Sequence, residues 1–229
     1  GPTFFGKNPG EQQTVVGAIK SGVVSRKNWL EKLRNVDVFD IKSDTIRTLV
    51  ELGVNENDLY ISDKTKNCYH PGRSGAIHLK SQNGPHLAYF GELHPAIISN
   101  LDFKEKNIYG LEIFLKNIPQ PNKKIRISKQ NYIASDFQKS ERDFAFVIDK
   151  SFKAGELENI IKKLDSDIIK KVTTFDVFEG QNIPVGKKSI AINVVMQAAD
   201  KTLNEKDLDQ VSEKIISTVK EKTGATIRS

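Results

Sequence analysis

Apolar and polar residues alternate from 189 to 197: Ile190, Ile192, Val194 and Met196 take one parity, and Ser189, Ala191 and Asn193 take the other. A period of two predicts a strand with one face on a core and a different surface on the other. The rest of the C-terminal half follows suit. Phe144-Ala145-Phe146-Val147-Ile148 has strand-like composition, and 172–178 reads as another strand. Leu157, Ile160, Ile161 and Leu164 repeat at helical spacing, with Ser151 as the expected cap. Leu208, Val211, Ile215 and Val219 stripe a second helix, opened by a capping-box spacing at Thr202 and Glu205 and closed by Gly224. With 225–228 as a last short strand, the order is β-α-β-β-α-β, the ferredoxin-like arrangement.

Upstream the pattern is mixed. Residues 14–19 and 108–115 read as strands, 43–52 as a helix with Ile46, Leu49 and Val50 inward, and 76–79 with 87–90 as a hairpin that makes His78 and His86 surface neighbours. The fold class is therefore α+β, in two domains. The first covers 1–118 and the second, ferredoxin-like, covers 136–229. Between them 119–135 reads as a basic linker, where Pro119 and Pro121 break regular structure and Lys123, Lys124, Arg126 and Lys129 meet no acid.

In a ferredoxin-like fold both helices cover one sheet face and leave the other open. With Phe144, Phe146, Phe175, Val177, Ile190 and Ile192 inward, the open face carries Ala145, Asp176, Phe178 and Ser189. An unpaired base needs a π-surface to stack on and polar groups for its edge, and small Ala145 would leave it room. Alternatives stand beside this reading. A strand-end aromatic also suits an internal interface, and such a sheet can serve as a small-molecule-sensing or dimerisation module without RNA binding.

At 229 residues and 38% hydrophobic, the chain can bury a real core, which argues against disorder. Its single cysteine, Cys68, excludes an intrachain disulfide framework. With no long apolar run, a cytoplasmic protein without membrane association is expected. The net charge of +6 permits nucleic-acid binding without dictating it. Cys68, His70, His78, His86 and His94 lack the paired short spacing of a zinc site, His70-Pro71-Gly72 and His94-Pro95 reading as turn or helix-start elements. No phosphate-loop or dinucleotide spacing occurs, and no nucleophile sits beside a recognisable base. Neither a catalytic nor a metal site is expected.

Several separated motifs carry a resemblance. Glu141-Arg142-Asp143-Phe144-Ala145, Phe175-Asp176-Val177-Phe178-Glu179-Gly180, Ile183-Pro184-Val185-Gly186-Lys187-Lys188-Ser189, Thr202-Leu203 and Gly224-Ala225-Thr226-Ile227-Arg228 occur in that order. Together they resemble the ferredoxin-like anticodon-binding domain that ends bacterial phenylalanyl-tRNA synthetase beta subunits. Trp29, Val38-Phe39-Asp40-Ile41-Lys42, Cys68-Tyr69-His70-Pro71-Gly72-Arg73-Ser74-Gly75 and Gly91-Glu92-Leu93-His94-Pro95 resemble the catalytic-like module of the same subunit, a class II synthetase fold without an active site. The resemblance implies a C-terminal part of that subunit, beginning within the catalytic-like module, that reads the anticodon of phenylalanine tRNA and supports the catalytic alpha subunit of an α2β2 heterotetramer. It implies ATP and magnesium for the holoenzyme, no cofactor for this part, and no aminoacylation by this part alone. It places Phe178 where the family has a tyrosine stacking on the wobble guanine, Asp176 and Ser189 where polar groups contact that base, and Ala145 where a small residue lines the pocket. Phe178 keeps the π-face without the hydroxyl, which forgoes about 0.5 to 1.5 kcal/mol for any hydrogen bond made there.

Overall fold

The structure, a computed structural model, describes residues 1–101, 103–105, 107–120, 135–165 and 167–228. Two compact units emerge, Gly1–Lys129 and Gln130–Ser229. Apart from its ends, the basic linker expected at 119–135 lies outside the described residues.

The first unit is a six-stranded antiparallel sheet in the order β1-β2-β6-β5-β4-β3. Its strands are β1 (Pro2–Phe4), β2 (Gln12–Ser21), β3 (Leu59–Ser62), β4 (Tyr69–Leu79), β5 (His86–Leu93) and β6 (Ile108–Phe114). Two helices, α1 (Val38–Glu51) and α2 (Pro95–Asn100), accompany it. The α1 helix starts five residues before the 43–52 expectation, because Asp37 and Asp40 form a reciprocal capping box. The Arg34 guanidinium grips Asp40 through two hydrogen bonds of 2.7 Å, which hold that carboxyl down to about 2. Ile41, Thr45 and Leu49 form the buried stripe, while Val50, expected inward, lies 39% exposed on the far side. The stripe packs with Ile77, Ala88, Phe90, Leu111 and Ile113. His94 caps α2, accepting at Nδ1 from the Ala96 N–H, and Pro95 takes the first helical position. His70-Pro71-Gly72, expected as a turn, lies within β4, beside an irregularity in its pairing with β5.

His78 and His86 do pair across β4 and β5, but His86 is more than a surface neighbour. Its ring centroid lies 4.0 Å from Tyr89 and 5.0 Å from Phe114, and its Nε2 is buried without a hydrogen-bond partner among the described residues. Burial, reinforced by His78, pushes its pKa down to about 4. Between the ordinary value of about 6.5 and pH 4, the unfolded chain therefore binds a proton that the folded chain does not. Stability of this unit should be full above that window and fall as the pH is lowered through it. At about 1.4 kcal/mol per pH unit the ceiling is roughly 3 kcal/mol, and partial contact with water brings the expected loss to about 1 to 2 kcal/mol. Urea titrations across this range should show that slope in the native chain and a flatter one in His86→Phe.

The second unit is a four-stranded antiparallel sheet in the order β10-β7-β9-β8. Along the chain run β7 (Ser140–Asp149), α3 (Ala154–Lys162), β8 (Ile169–Phe178), β9 (Lys187–Met196), α4 (Glu205–Thr223) and β10 (Thr226–Ile227). This is the βαββαβ order that the pattern predicts, with the two central strands flanked by β10 and β8. Leu157 and Ile161 of α3 and Val211, Ile215 and Val219 of α4 close over Phe144, Phe146, Ile190, Ile192, Val194 and Met196, all buried. Two caps differ from expectation. Ser151 donates its hydroxyl to Asp149 in a turn, and α3 begins later, after Lys153. The α4 capping box is Asn204 with Asp207, two residues beyond Thr202 and Glu205. Gly224 ends α4 at φ 67°, the left-handed conformation that glycine adopts without a Cβ penalty.

Candidate nucleic-acid interface

Directly opposed residues in an antiparallel pair share a face, so register assigns the open side of the second sheet row by row. One row is Val147, Ser189 and Phe178, and the next is Ala145, Ala191 and Asp176. Beyond them come Asp143, Asn193 and Thr173. The intervening rows belong to the helix-covered core, as in Phe144 with Ile192 and Phe146 with Ile190. All four residues expected at the site, Ala145, Asp176, Phe178 and Ser189, thus lie on one face in two adjacent rows.

What delivers Asp176 and Phe178 there is a β-bulge that the pattern does not reveal. In the first part of β8, Val172 and Thr174 oppose the inward residues Val194 and Ile192; after the irregularity between Thr174 and Asp176, the inward parity passes to Val177. Without the extra residue, Asp176 and Phe178 would continue the parity of Val172 into the core. The N–H of Thr174, beside the bulge, donates to Glu158 Oε1 of α3 at 2.9 Å. Glu158 is thus a supporting residue that the sequence reading missed. The expectation of Phe175 and Val177 as core residues needs correction too: they are 58% and 49% exposed. Phe175 is the bulged residue, and Val177 opposes core residue Ile190 while staying half in solvent.

The cleft between these rows is more closed than an open face implies. Ser189, expected to be available, is only 3% exposed, whereas Phe178 directly opposite is 40% exposed. Glycine at 180 lets the ring lie close to the backbone, since a Cβ there would stand 2.9 Å from Phe178 Cζ. From the far edge the guanidinium carbon of Arg228 stands 5.6 Å from the centre of the Phe178 ring.

Charge divides the face. Asn193 Nδ2 donates to Asp143 at 2.8 Å and to Glu141 at 3.3 Å, leaving two carboxylates at one end. At the other end Lys187 opposes Asp149, whose carboxyl is held below its usual range by the Ser151 hydroxyl first and its N–H second, with Lys187 and Lys188 adding to the effect. A polyanion would meet less repulsion there. Arg142 points away from this surface: it opposes core residue Val194 and pairs with Asp209 of α4 at 2.8 Å.

Fold and face define a ferredoxin-like domain with an aromatic, polar patch on its uncovered sheet, and comparison with known proteins gives that class its family. Residues 135–228 match the ferredoxin-fold anticodon binding domain, and residues 1–115 match the phenylalanyl tRNA synthetase beta chain CLM domain. The chain belongs to the phenylalanyl-tRNA synthetase beta chain family. Among its relatives are the phenylalanine–tRNA ligase beta subunits of Paramagnetospirillum magneticum, 37% identical over 228 residues, and Cereibacter sphaeroides, 39% identical over 233 residues. Each alignment takes in 100% of this chain and 28% of the relative. That of Rickettsia bellii is 35% identical over 229 residues, across 100% of this chain and 26% of its own length. The chain thus spans under a third of the curated relatives it matches. No helix among the described residues is long and apolar enough to cross a membrane.

Proposed function

We propose that this chain reads the anticodon of phenylalanine tRNA and braces the catalytic alpha subunit, as part of a phenylalanine–tRNA ligase. In this reading the wobble base stacks on Phe178, its edge is met by Asp176 and Ser189, and Ala145 leaves room for it. The observation that carries the proposal is the convergence of a ring, a carboxylate, a hydroxyl and a small floor in two adjacent rows of one face. Membership of the anticodon-binding family favours this over the small-molecule or dimerisation reading. We take 1–118 and 136–229 as the domains, joined by the basic linker 119–135, and cytoplasm as the compartment.

The beta-subunit names of the relatives support an alpha-subunit partner, and the α2β2 stoichiometry is part of the proposal. Trp29 at 93%, Leu30 at 71% and Phe39 at 70% exposure are apolar side chains of the first unit available to that partner. ATP and magnesium belong to the whole enzyme, and we assign both to the alpha subunit. On the first sheet, Tyr89 and Phe114 meet the ring of His86, and Lys66 is committed to Glu112 at 2.6 Å while lying over Tyr89 and Phe114. Aromatic rings and a neutralised lysine do not fit a magnesium-bound triphosphate, which needs free cations and donors.

The test is base-specific. At fixed salt, the chain should bind a stem–loop carrying the phenylalanine anticodon loop at least about fivefold more tightly than the same stem–loop with its wobble guanine replaced by a pyrimidine, as expected for a mismatch worth about 1 to 3 kcal/mol. Equal affinity for the two would overturn the reading.

A further inference from the structure

Arg228 lies outside the four residues assigned to the base, yet the backbone fixes its place on the same face. Thr226 opposes Val147 and Ile227 opposes Phe146, and the Arg228 N–H donates to the Ala145 carbonyl at 2.7 Å, extending the register by one residue. Val147 and Ala145 are open-face positions, so Thr226 and Arg228 share that face and Ile227 takes the other. Although β10 and β8 form opposite edges of the sheet, the Arg228 guanidinium carbon comes within 5.6 Å of the centre of the Phe178 ring. Among the described residues no carboxylate forms an ion pair with it. The unpaired guanidinium is instead held over an aromatic face.

Two walls therefore flank the cleft. Phe178 is an aromatic wall, Arg228 is a planar cationic one, and the face positions between them are Ala145, Ala191, Ser189 and Val147. At 5.6 Å from guanidinium carbon to ring centre the walls stand too close for a base between them, since two stacking intervals require about 7 Å. Between these walls Ser189 is 3% exposed and Val147, opposite it in register, is 9% exposed.

We infer that Arg228 is the opposing clamp of the nucleotide site: its guanidinium withdraws by one to two ångströms, about the difference between those separations, and stacks on the base face turned away from Phe178. This rests on the anticodon-reading proposal and adds to it a second specificity-determining wall and an opening step. A guanidinium suits the task because it is planar and weakly hydrated, whereas an ammonium of the same charge has no face to offer. In the free protein, contact with Phe178 keeps the cleft closed and the two groups aligned.

The experiment measures binding of the same stem–loop by the full chain and its Arg228→Ala, Arg228→Lys and Phe178→Ala variants over a salt series. Retained folding is checked by circular dichroism, since the Arg228 backbone bond does not depend on its side chain. The expected result is a loss of about 5- to 30-fold for Arg228→Ala, no more than partial recovery in Arg228→Lys, and an unchanged slope of log affinity against log salt. If Phe178→Ala weakens binding but Arg228→Ala stays within about twofold of the native chain, the clamp is wrong and the anticodon reading stands. Full recovery by lysine, or a slope reduced by about 0.7 in Arg228→Ala, would make Arg228 a phosphate contact and overturn the stacking role. Native affinity in both alanine variants would overturn the clamp and the reading together.

Discussion

Replacing Phe178 by alanine should weaken binding of the anticodon stem–loop by about 1 to 3 kcal/mol, roughly 5- to 150-fold, with little change in stability. The size follows from what the ring does. Stacking on an aromatic face supplies much of the affinity for an unpaired base, and Phe178 lies on the open surface, 40% exposed, outside the core cluster. Its removal takes away that wall without opening a cavity in the hydrophobic interior. Phe178→Tyr should bind at least as tightly as the native chain, by about 0.5 to 1.5 kcal/mol if the hydroxyl finds a partner. Unchanged affinity of Phe178→Ala at fixed salt would remove stacking from the account.

The largest stability effect is expected in the first unit, from Gly91→Ala. Gly91 has φ 153°, a conformation that a side chain strains, and a Cβ there would stand 2.3 Å from Ser74 Cβ and 2.6 Å from Ser74 Cα. The obstacle is partly backbone on the adjacent strand, paired with Gly91 in register, so it cannot swing aside. Backbone strain of about 1 to 3 kcal/mol and overpacking of similar size together give an expected loss of about 3 to 5 kcal/mol. Next along the strand, Glu92 is 4% exposed and receives Arg73 at 2.9 Å from Nη2 to Oε1, so parting β4 from β5 also disturbs a largely buried carboxylate. Chemical denaturation should show the transition of the first unit moved to much lower denaturant while that of the second stays put. A first-unit midpoint within experimental error of the native one would contradict the close approach of the two strands.

The ferredoxin-like half was legible because its strands alternate cleanly and its helices keep one apolar stripe, and those patterns are consequences of burial on one side. Ile190, Ile192, Val194 and Met196 lie inward as their spacing requires. The first half yielded partial boundaries. The α1 helix extends back to Val38 because a cap at Asp37 decides its start, and a cap leaves no periodic signal. Val50 sits at helical spacing from Ile46 yet turns outward, since Ile41, Thr45 and Leu49 already fill the stripe.

The shared face of the four candidate residues was legible, and its shape less so. Parity applied to β8 from its C-terminal end places Asp176 and Phe178 outward, and the same parity applied from Val172 places them inward; the bulge at Phe175 reconciles the two. A bulge is one extra residue without a hydrophobic signature, so nothing in the pattern marks it. The support from Glu158 and the reach of Arg228 across the sheet are contacts between residues far apart in the chain, and no local periodicity encodes them. Gly180 was legible as part of a motif, and the structure supplies the reason: the Phe178 ring occupies the space of its missing Cβ.

In this account sheet geometry precedes chemistry. Helices cover one face, the bulge turns Asp176 and Phe178 onto the other, and β10 brings Arg228 opposite them. The most direct test is a structure of the chain bound to the anticodon stem–loop. The account predicts the wobble base over Ala145, Ala191 and Ser189, with the Phe178 ring against one of its faces and the Arg228 guanidinium against the other. A loop bound elsewhere on the chain, with Phe178 still against Arg228 and no base between them, would contradict it.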